Sequence, residues 1–149
     1  MEIERKYLIK DLPVNLNSYP YHIIEQGYLC TEPVVRIRRQ DDDYILTYKG
    51  KGMMVREEYN LPLTKDAYEH LKPKADGNII SKKRYVIPLA QGLNIELDIF
   101  DTPFAPLILA EVEFPDEETA DHFIPPDWSQ EDVTFDGRYH NSYLSQIQF

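Results

Sequence analysis

The chain has 149 residues, of which 42% are hydrophobic, with a formal net charge of −10 and a mean hydropathy of −0.50. These values predict one soluble globular domain over residues 1–149 and exclude a disordered chain. The acidic charge argues against a general nucleic-acid or anionic-membrane surface, and the longest apolar run, residues 105–110, is too short to cross a bilayer.

Alternation of apolar and polar residues predicts eight short strands joined by hairpin turns. They lie at residues 1–9, 22–30, 34–40, 44–49, 55–61, 79–87, 93–99 and 107–114. A helix is predicted at 65–71, between a Thr64 N-cap and Pro73, and further helices at 116–123 and 138–147.

This order of elements predicts an α+β fold, in which eight antiparallel strands close into a β-barrel, or tunnel, with a few helices packed outside. The connections are too short for a parallel sheet of the Rossmann type, and the chain has no glycine-rich phosphate loop. A nucleotide site of that kind is therefore excluded.

The cysteine content and the N-terminal residues indicate where in the cell the protein is located. Cys30 is the only cysteine, so no disulfide can form within the chain. The N-terminal residues are charged and lack the basic and apolar regions of a signal peptide. We therefore expect a reducing, cytoplasmic location, and no sequence feature indicates an oligomeric state.

Charged residues occupy one face of nearly every predicted strand, and their signs separate. Acidic pairs at i, i+2 occur on three strands: Glu2 and Glu4, Glu96 and Asp98, and Glu111 and Glu113. The cations on this face are Lys6, Arg36, Arg38, Lys49, Arg56, Lys82 and Arg84. A half-exposed sheet also has one charged face, so alternation alone leaves that reading open. Because a solvated face normally mixes both signs, the separation favours a charged lumen.

A charged lumen would need ligands for both signs. Clustered Lys and Arg side chains favour a multiply charged anion such as a polyphosphate. The carboxylates would repel that anion unless hard divalent cations lay between them, and oxygen ligands favour magnesium, manganese or calcium. Together the clusters predict a site for polyphosphate and metal.

The order of the motifs resembles that of the CYTH superfamily, also called triphosphate tunnel metalloenzymes. Glu2-x-Glu4-x-Lys6 resembles the ExExK signature of that family. The motifs that follow in the family's order are QGYL at 26–29, VRIR at 35–38, YKG at 48–50, RxE at 56–58, KxR at 82–84, ExD at 96–98, AEVEF at 110–114 and DVT to RYxN at 132–141. The likeness spans nearly the whole chain and most resembles short bacterial, clostridial-type tripolyphosphatases.

The resemblance implies a tunnel enzyme that uses Mg²⁺ or Mn²⁺. The metal ligands that it implies are Glu2, Glu4, Glu111, Glu113 and Asp98, with Glu58 and Glu96 as further candidates. The triphosphate cradle that it implies is Lys6, Arg36, Arg38, Lys49, Arg56, Lys82 and Arg84. Catalytic contributions are expected from Lys6, Arg38, Glu111 and Glu113, and one carboxylate of the last pair is expected to orient and deprotonate water.

The expected activity is metal-dependent hydrolysis of inorganic tripolyphosphate to pyrophosphate and phosphate. One alternative is a nucleotide-directed enzyme, namely a nucleoside triphosphatase, a thiamine triphosphatase or a class IV adenylate cyclase. It would need aromatic and hydrogen-bonding groups at the tunnel mouth, and the chain has no obvious insertion to supply them. A second alternative is a polyphosphate-binding module, which the acidic pairs disfavour because they would weaken anion binding without metal.

The remaining polar residues show no pattern of a second site. The histidines, which are His22, His70, His122 and His140, lack metal-ligand spacing and are expected at the surface or in packing. Arg138 and Tyr139 could reach the tunnel mouth or serve the structure alone.

Overall fold

The structure is a computed structural model that describes residues 1–149. Ten strands are present: β1 Glu2–Ile9, β2 Tyr21–Thr31, β3 Val34–Gln40, β4 Asp43–Lys49, β5 Val55–Arg56, β6 Glu58–Pro62, β7 Asp76–Pro88, β8 Asn94–Phe100, β9 Ile108–Glu113 and β10 Ser129–Asp132. The α-helices are α1 Lys65–Leu71, α2 Glu117–Asp121 and α3 Asn141–Leu144. All are short, and none has the length and hydrophobicity that crossing a membrane requires.

The strands form one antiparallel sheet that curls into a nearly closed barrel. Hydrogen bonds connect them in the order β10-β1-β9-β8-β7-β2-β3-β4-β6, and β5 pairs with β1. One seam remains between β6 and β1, where β5 pairs with β1 at Glu2 with Arg56 and at Ile3 with Val55. The predicted antiparallel barrel with few helices is confirmed.

Three elements differ from the prediction. The strand predicted at 55–61 is divided at Glu57, so that β5 pairs with β1 while β6 pairs with β4. This division lets one segment reach both sides of the seam. β10 was not predicted because Ser129–Asp132 has no apolar alternation, and the helix predicted at 138–147 is reduced to a 3₁₀ turn at Gly137–Tyr139 followed by α3.

Thr64 shows why α1 forms where the sequence predicts it. Its hydroxyl oxygen accepts a hydrogen bond from the Ala67 backbone N–H at 3.1 Å, which satisfies one free donor of the first turn. Asp116 caps α2 in the same way through the Thr119 N–H at 2.7 Å. Both helices start as the cap residues predict.

The buried apolar residues form two groups, one on the outer face of the barrel and one inside it, and the second group limits the length of the charged cavity. Tyr7, Leu97 and Val112 belong to a core on the outer face of the barrel, against the α2 region. Phe100 and Leu109, by contrast, share the inward face with Asp98 and Glu111 because side chains repeat every two residues along a strand. They fill one end of the barrel, so the charged cavity occupies only the remaining length.

Candidate active site in the barrel lumen

A cavity of about 220 Å³ lies in the lumen, and three of its twenty lining residues are hydrophobic. Pockets for drug-sized organic ligands are larger, at about 300–1,000 Å³, and mostly apolar. The charged lining residues are Glu2, Glu4, Lys6, Arg36, Arg38, Lys49, Arg56, Glu58, Arg84, Glu96, Glu111 and Glu113. The shape and lining suit a small, highly charged ligand.

The carboxylates and the arginines line opposite parts of this cavity. β1, β9 and β8 are neighbours, and their glutamates Glu2, Glu4, Glu96, Glu111 and Glu113 form what we call the acidic wall. β7, β3 and β4 supply the basic wall, which consists of Arg84, Arg36, Arg38 and Lys49. The separation of signs expected from the sequence is therefore present in the lumen, apart from Lys6, which lies on β1 among the carboxylates.

Register explains the crowding of the acidic wall. Glu4 lies opposite Glu113 on β9, and Glu96 on β8 lies opposite Glu111. Burial, and next the charge of Glu111, raise the pKa of Glu4 well above its usual value. Neighbouring carboxylates on a sheet are unfavourable unless a cation lies between them.

Glu111 differs from Glu4 on this wall because it has a lysine as a close partner. Lys6 Nζ lies 3.4 Å from Glu111 Oε1, and both side chains are buried. Burial acts to raise the pKa of Glu111, but Lys6, followed by Arg84, holds it well below the usual value. Glu111 is therefore an ionised lining residue of the cavity, next to a lysine.

At the seam, Lys49 on β4 contacts Glu58 on the paired strand β6 and also Glu2 on β1, which is not paired with β4. Lys49 Nζ donates to Glu2 Oε1 at 2.9 Å and lies 3.5 Å from Glu58 Oε2. Burial, together with a hydrogen bond to Glu58, raises the pKa of Glu2 to about 7. Burial opposes the shift of Glu58, but its bonds to Glu2 and Asn60 lower its pKa to about 2. The pair thus shares a proton that Glu2 holds.

Neutral side chains hold the arginines of the basic wall. Gln26 Oε1 accepts from Arg38 Nε at 2.8 Å, and Thr47 Oγ1 accepts from Arg36 Nη2 at 3.1 Å. Burial, and then the charges of Arg36 and Arg84, lower the pKa of Arg38 to about 9. Arg38 therefore remains protonated at neutral pH although cations surround it.

Two donors in this cavity have no acceptor. The Nε–H groups of Arg36 and Arg56 are buried without a hydrogen-bond partner. Because an unpaired buried donor costs free energy, these groups favour an anionic acceptor in the cavity.

Lys82 and Asp98 do not line the cavity, contrary to the expectation that one contacts phosphate and the other metal. Asp98 Oδ2 lies 2.7 Å from Lys82 Nζ, and Asp98 Oδ1 accepts from Arg84 Nε at 2.7 Å. Along their strands they lie two residues beyond Arg84 and Glu96, towards Phe100. Lys82 Nζ is 5.1 Å from the centroid of the Phe100 ring. Asp98 accordingly orients Arg84, whose Nη1 also donates to Glu96 at 3.1 Å.

The donor set fits hard divalent cations, since all the acidic ligands present are carboxylates. No three Asp, Glu, His or Cys side chains stand together as a formed metal site. Glu2 and Glu111 turn towards lysines instead, while burial and like charge leave Glu4 with a raised pKa. A divalent ion would relieve that repulsion, so Glu4, Glu2, Glu111 and Glu113 are the residues that could hold it.

The cavity also has polar lining residues that the sequence analysis did not assign. Asn60 lies on β6, and His140, Asn141 and Ser142 come from the C-terminal segment. The backbone O of Tyr139 accepts from Lys6 Nζ at 3.2 Å, whereas the Arg138 side chain is exposed and pairs with Asp136. His140 lines the cavity, although the sequence predicts only a surface or packing role for it because the histidines lack the spacing of metal ligands. Only the RYxN motif pointed towards this segment.

Comparison with known proteins supports these observations. The family model for the CYTH domain matches residues 1–125. The chain is 40% identical over 148 residues to an inorganic triphosphatase of Nitrosomonas europaea, covering 97% of this chain and 96% of the relative. It is 34% identical over 149 residues to an inorganic triphosphatase of Acetivibrio thermocellus, covering 96% and 92%. A crystal structure of an inorganic triphosphatase superposes with a TM-score of 0.74 at 36% identity, covering 99% of this chain and 96% of the other.

Proposed function

The chain belongs to the CYTH domain family, and from this membership we propose that it is an inorganic triphosphatase, which hydrolyses tripolyphosphate to pyrophosphate and phosphate in the barrel lumen. One observation carries the proposal. Buried arginine donors without acceptors face a wall of carboxylates that repel one another, in a cavity of about 220 Å³. A polyphosphate accompanied by divalent metal satisfies both walls, whereas either ligand alone satisfies one.

The basic wall is proposed to hold the phosphate chain. Guanidinium forks suit phosphate oxygens, and the fixed positions of Arg36 and Arg38 lower the entropic cost of binding. Arg84 is oriented by Asp98 in a bidentate pair, at 2.7 and 2.8 Å. Arg56 adds a cation at the seam.

The metal is proposed to be Mg²⁺ or Mn²⁺, held by Glu2, Glu4, Glu111 and Glu113. Triphosphatases of this family are metal-dependent in general. When bound, such an ion supplies charge neutralisation between carboxylates and phosphate oxygens, and it makes phosphorus more electrophilic. Asp98 is left out of this set because its oxygens already accept from Lys82 and Arg84.

The chain's own residues supply the rest of the chemistry. Glu111, which is ionised next to Lys6, and Glu113, whose pKa burial raises, are our two candidates to orient water and accept its proton. Attack on a terminal phosphorus forms one P–O bond and breaks the anhydride bond. Lys6 and Arg38 neutralise the charge on the departing pyrophosphate.

The test compares phosphate release from tripolyphosphate, ATP and thiamine triphosphate with Mg²⁺, with Mn²⁺ and with chelator. We expect metal-dependent release of phosphate, with the highest kcat/KM for tripolyphosphate. Binding without turnover under every metal condition would replace the proposal by a polyphosphate-binding module.

The nucleotide-directed alternative keeps one observation in its favour. A wider space of about 880 Å³ adjoins the charged cavity and contains Tyr48, Tyr143 and Gln146. Aromatic and hydrogen-bonding groups are therefore present at a mouth of the tunnel, and β4 and the C-terminal segment supply them without an insertion. Cyclic AMP as the main product from ATP would establish the cyclase activity instead.

A further inference from the structure

The charged cavity opens into a second space, which we call the outer chamber. It has a volume of about 880 Å³, against about 220 Å³ for the charged cavity. Met53, Tyr48 and Tyr143 contribute to its walls. The residues that line both spaces, and so form the boundary between them, are Val34, Arg56, His140 and Ser142.

The two spaces differ in charge. The charged cavity has six Lys and Arg residues in its lining, whereas the outer chamber has Lys51 and the boundary residue Arg56. Asn60, Arg36 and Arg38 line only the charged cavity. A phosphate group that moved into the outer chamber would lose most of the donors that stabilise it.

Hydrogen bonds hold the boundary segment in place. His140 Nε2 lies 3.0 Å from the Thr134 carbonyl oxygen, so the ring proton is on Nε2 when the imidazole is neutral. Burial, followed by the charge of Lys6, lowers the pKa of His140. At neutral pH the ring therefore brings no positive charge to the boundary.

The residues on either side of His140 are also anchored to the barrel. Lys6 Nζ donates to the Tyr139 carbonyl oxygen, and Lys82 Nζ donates to Asn141 Oδ1 at 3.3 Å. Further along, Asn78 Nδ2 donates to the Ile147 carbonyl oxygen at 2.6 Å. The segment that carries His140 and Ser142 is thus held against the barrel at the opening between the two spaces.

The boundary residues on this segment lie outside the stretch that the family model matches, which ends at residue 125. We propose that His140 and Ser142 are specificity-determining residues that limit the substrate to three phosphates. A longer polyphosphate that extended past His140 and Ser142 would place its extra phosphates where positive charge is sparse, and the space on the side of Glu96 and Glu113 has no Lys or Arg in its lining. This inference rests on the proposed triphosphatase activity and adds a limit on chain length to it.

The test measures kcat/KM for tripolyphosphate and for tetrapolyphosphate, with Mg²⁺ and at equal free metal. We expect the wild-type protein to prefer tripolyphosphate by about tenfold or more, as small steric differences in a pocket can achieve. Ser142→Gly and His140→Ala should each lower this preference about tenfold, because a fourth phosphate could then lie at the boundary itself, nearer to the arginines of the charged cavity.

His140→Asn is a second variant, because its shorter side chain keeps an N–H donor for the Thr134 carbonyl. It allows the test to be made if His140→Ala does not fold, and it should also lower the preference for tripolyphosphate. Thr31→Ala, which lies only in the outer chamber, is the matched control and should leave the preference unchanged.

Equal kcat/KM values for both substrates in the wild type would overturn the inference, as would an unchanged preference in folded Ser142→Gly and His140→Asn. Absence of tripolyphosphate hydrolysis by the wild type is a different result, because it would overturn the proposed activity itself.

Discussion

The acidic and basic walls of the lumen belong to one cavity, yet burial and like charge affect the protonation of the two walls differently. On the acidic wall, burial and like charge raise the pKa of Glu4 and bring that of Glu2 to about 7. On the basic wall, the pKa of Arg38 falls, but only to about 9. Carboxylates can take up protons at neutral pH, whereas arginines keep their charge.

This difference indicates that anion binding depends less on the metal than metal binding depends on a change in the carboxylates. Protonation relieves part of the repulsion on the acidic wall, but the arginine Nε–H donors still lack an acceptor. The site therefore retains its affinity for an anion without metal, while metal binding must displace protons or lysines from carboxylates. The arginines of the basic wall are therefore already placed to bind an anion, whereas the carboxylates of the acidic wall become a metal site only when the metal binds.

Glu4→Gln breaks the acidic wall and should have the largest effect. We expect kcat/KM for tripolyphosphate to fall about 10³-fold, as for the loss of a central electrostatic group. Thermal stability without metal should not fall, because glutamine removes a buried charge that its neighbours repel.

The control for this variant is Glu57→Gln, an exposed residue between β5 and β6 that does not line the cavity. Steady-state kinetics and thermal denaturation check both halves of the prediction. Full activity of Glu4→Gln would show that the acidic wall does not hold the metal.

Arg36→Ala breaks the basic wall and should have the next largest effect. Binding of tripolyphosphate with chelator present, measured by calorimetry, should weaken about 10²-fold because a forked phosphate contact is lost. Arg39→Ala is the matched control, since this neighbour on β3 is exposed and donates to the Asp41 carbonyl oxygen. Equal losses in the two variants would place the anion elsewhere.

Glu113→Gln and Glu111→Gln compare the contributions of two carboxylates of the acidic wall to kcat. Glu113 is more exposed than Glu111, but partial desolvation, followed by the charges of Glu58 and Glu96, still raises its pKa. We expect a fall in kcat of about tenfold, within the range for a supporting metal group, and a much larger fall for Glu111→Gln. Unchanged kcat in both variants would remove this pair from the proton transfer.

The pH dependence of stability should show the smallest effect. Because the pKa of Glu2 rises from 4.5 to about 7 on folding, the folded state holds its proton more tightly. The stability that this proton provides is complete below pH 4.5 and is lost as the pH rises through about 7. With chelator present, Tm should therefore fall by a few degrees, at about 2–4 °C per kcal/mol, between pH 5 and 7.5.

Glu2→Gln provides the control for this measurement, because glutamine does not titrate. Its Tm should depend less on pH over the same interval. A wild-type Tm that rises between these pH values would contradict the assigned shift.

Local patterns in the sequence were sufficient for most elements. Period-two alternation placed Glu2, Glu4 and Lys6 on one face of β1, and the structure has all three lining the cavity. Thr64 and Asp116 located the helix starts because capping depends on neighbours within four residues. The match of motif order to one family added the expected activity.

Alternation could not show how deep along the barrel each charged residue lies. Lys82 and Asp98 have the same inward direction as Arg84 and Glu96, but they pair with each other above the apolar end around Phe100. Depth depends on the stagger of strands around the barrel and on which residues fill its end, and both are tertiary properties.

The sequence by itself determined the strands, the direction of their charged faces and the family, because each depends on neighbouring residues or on motif order. Only the tertiary structure decided that β5 crosses to β1, that Asp98 lies beneath the cavity and that His140 borders it. Residues far apart in the chain meet there, and no local preference specifies the distance between them.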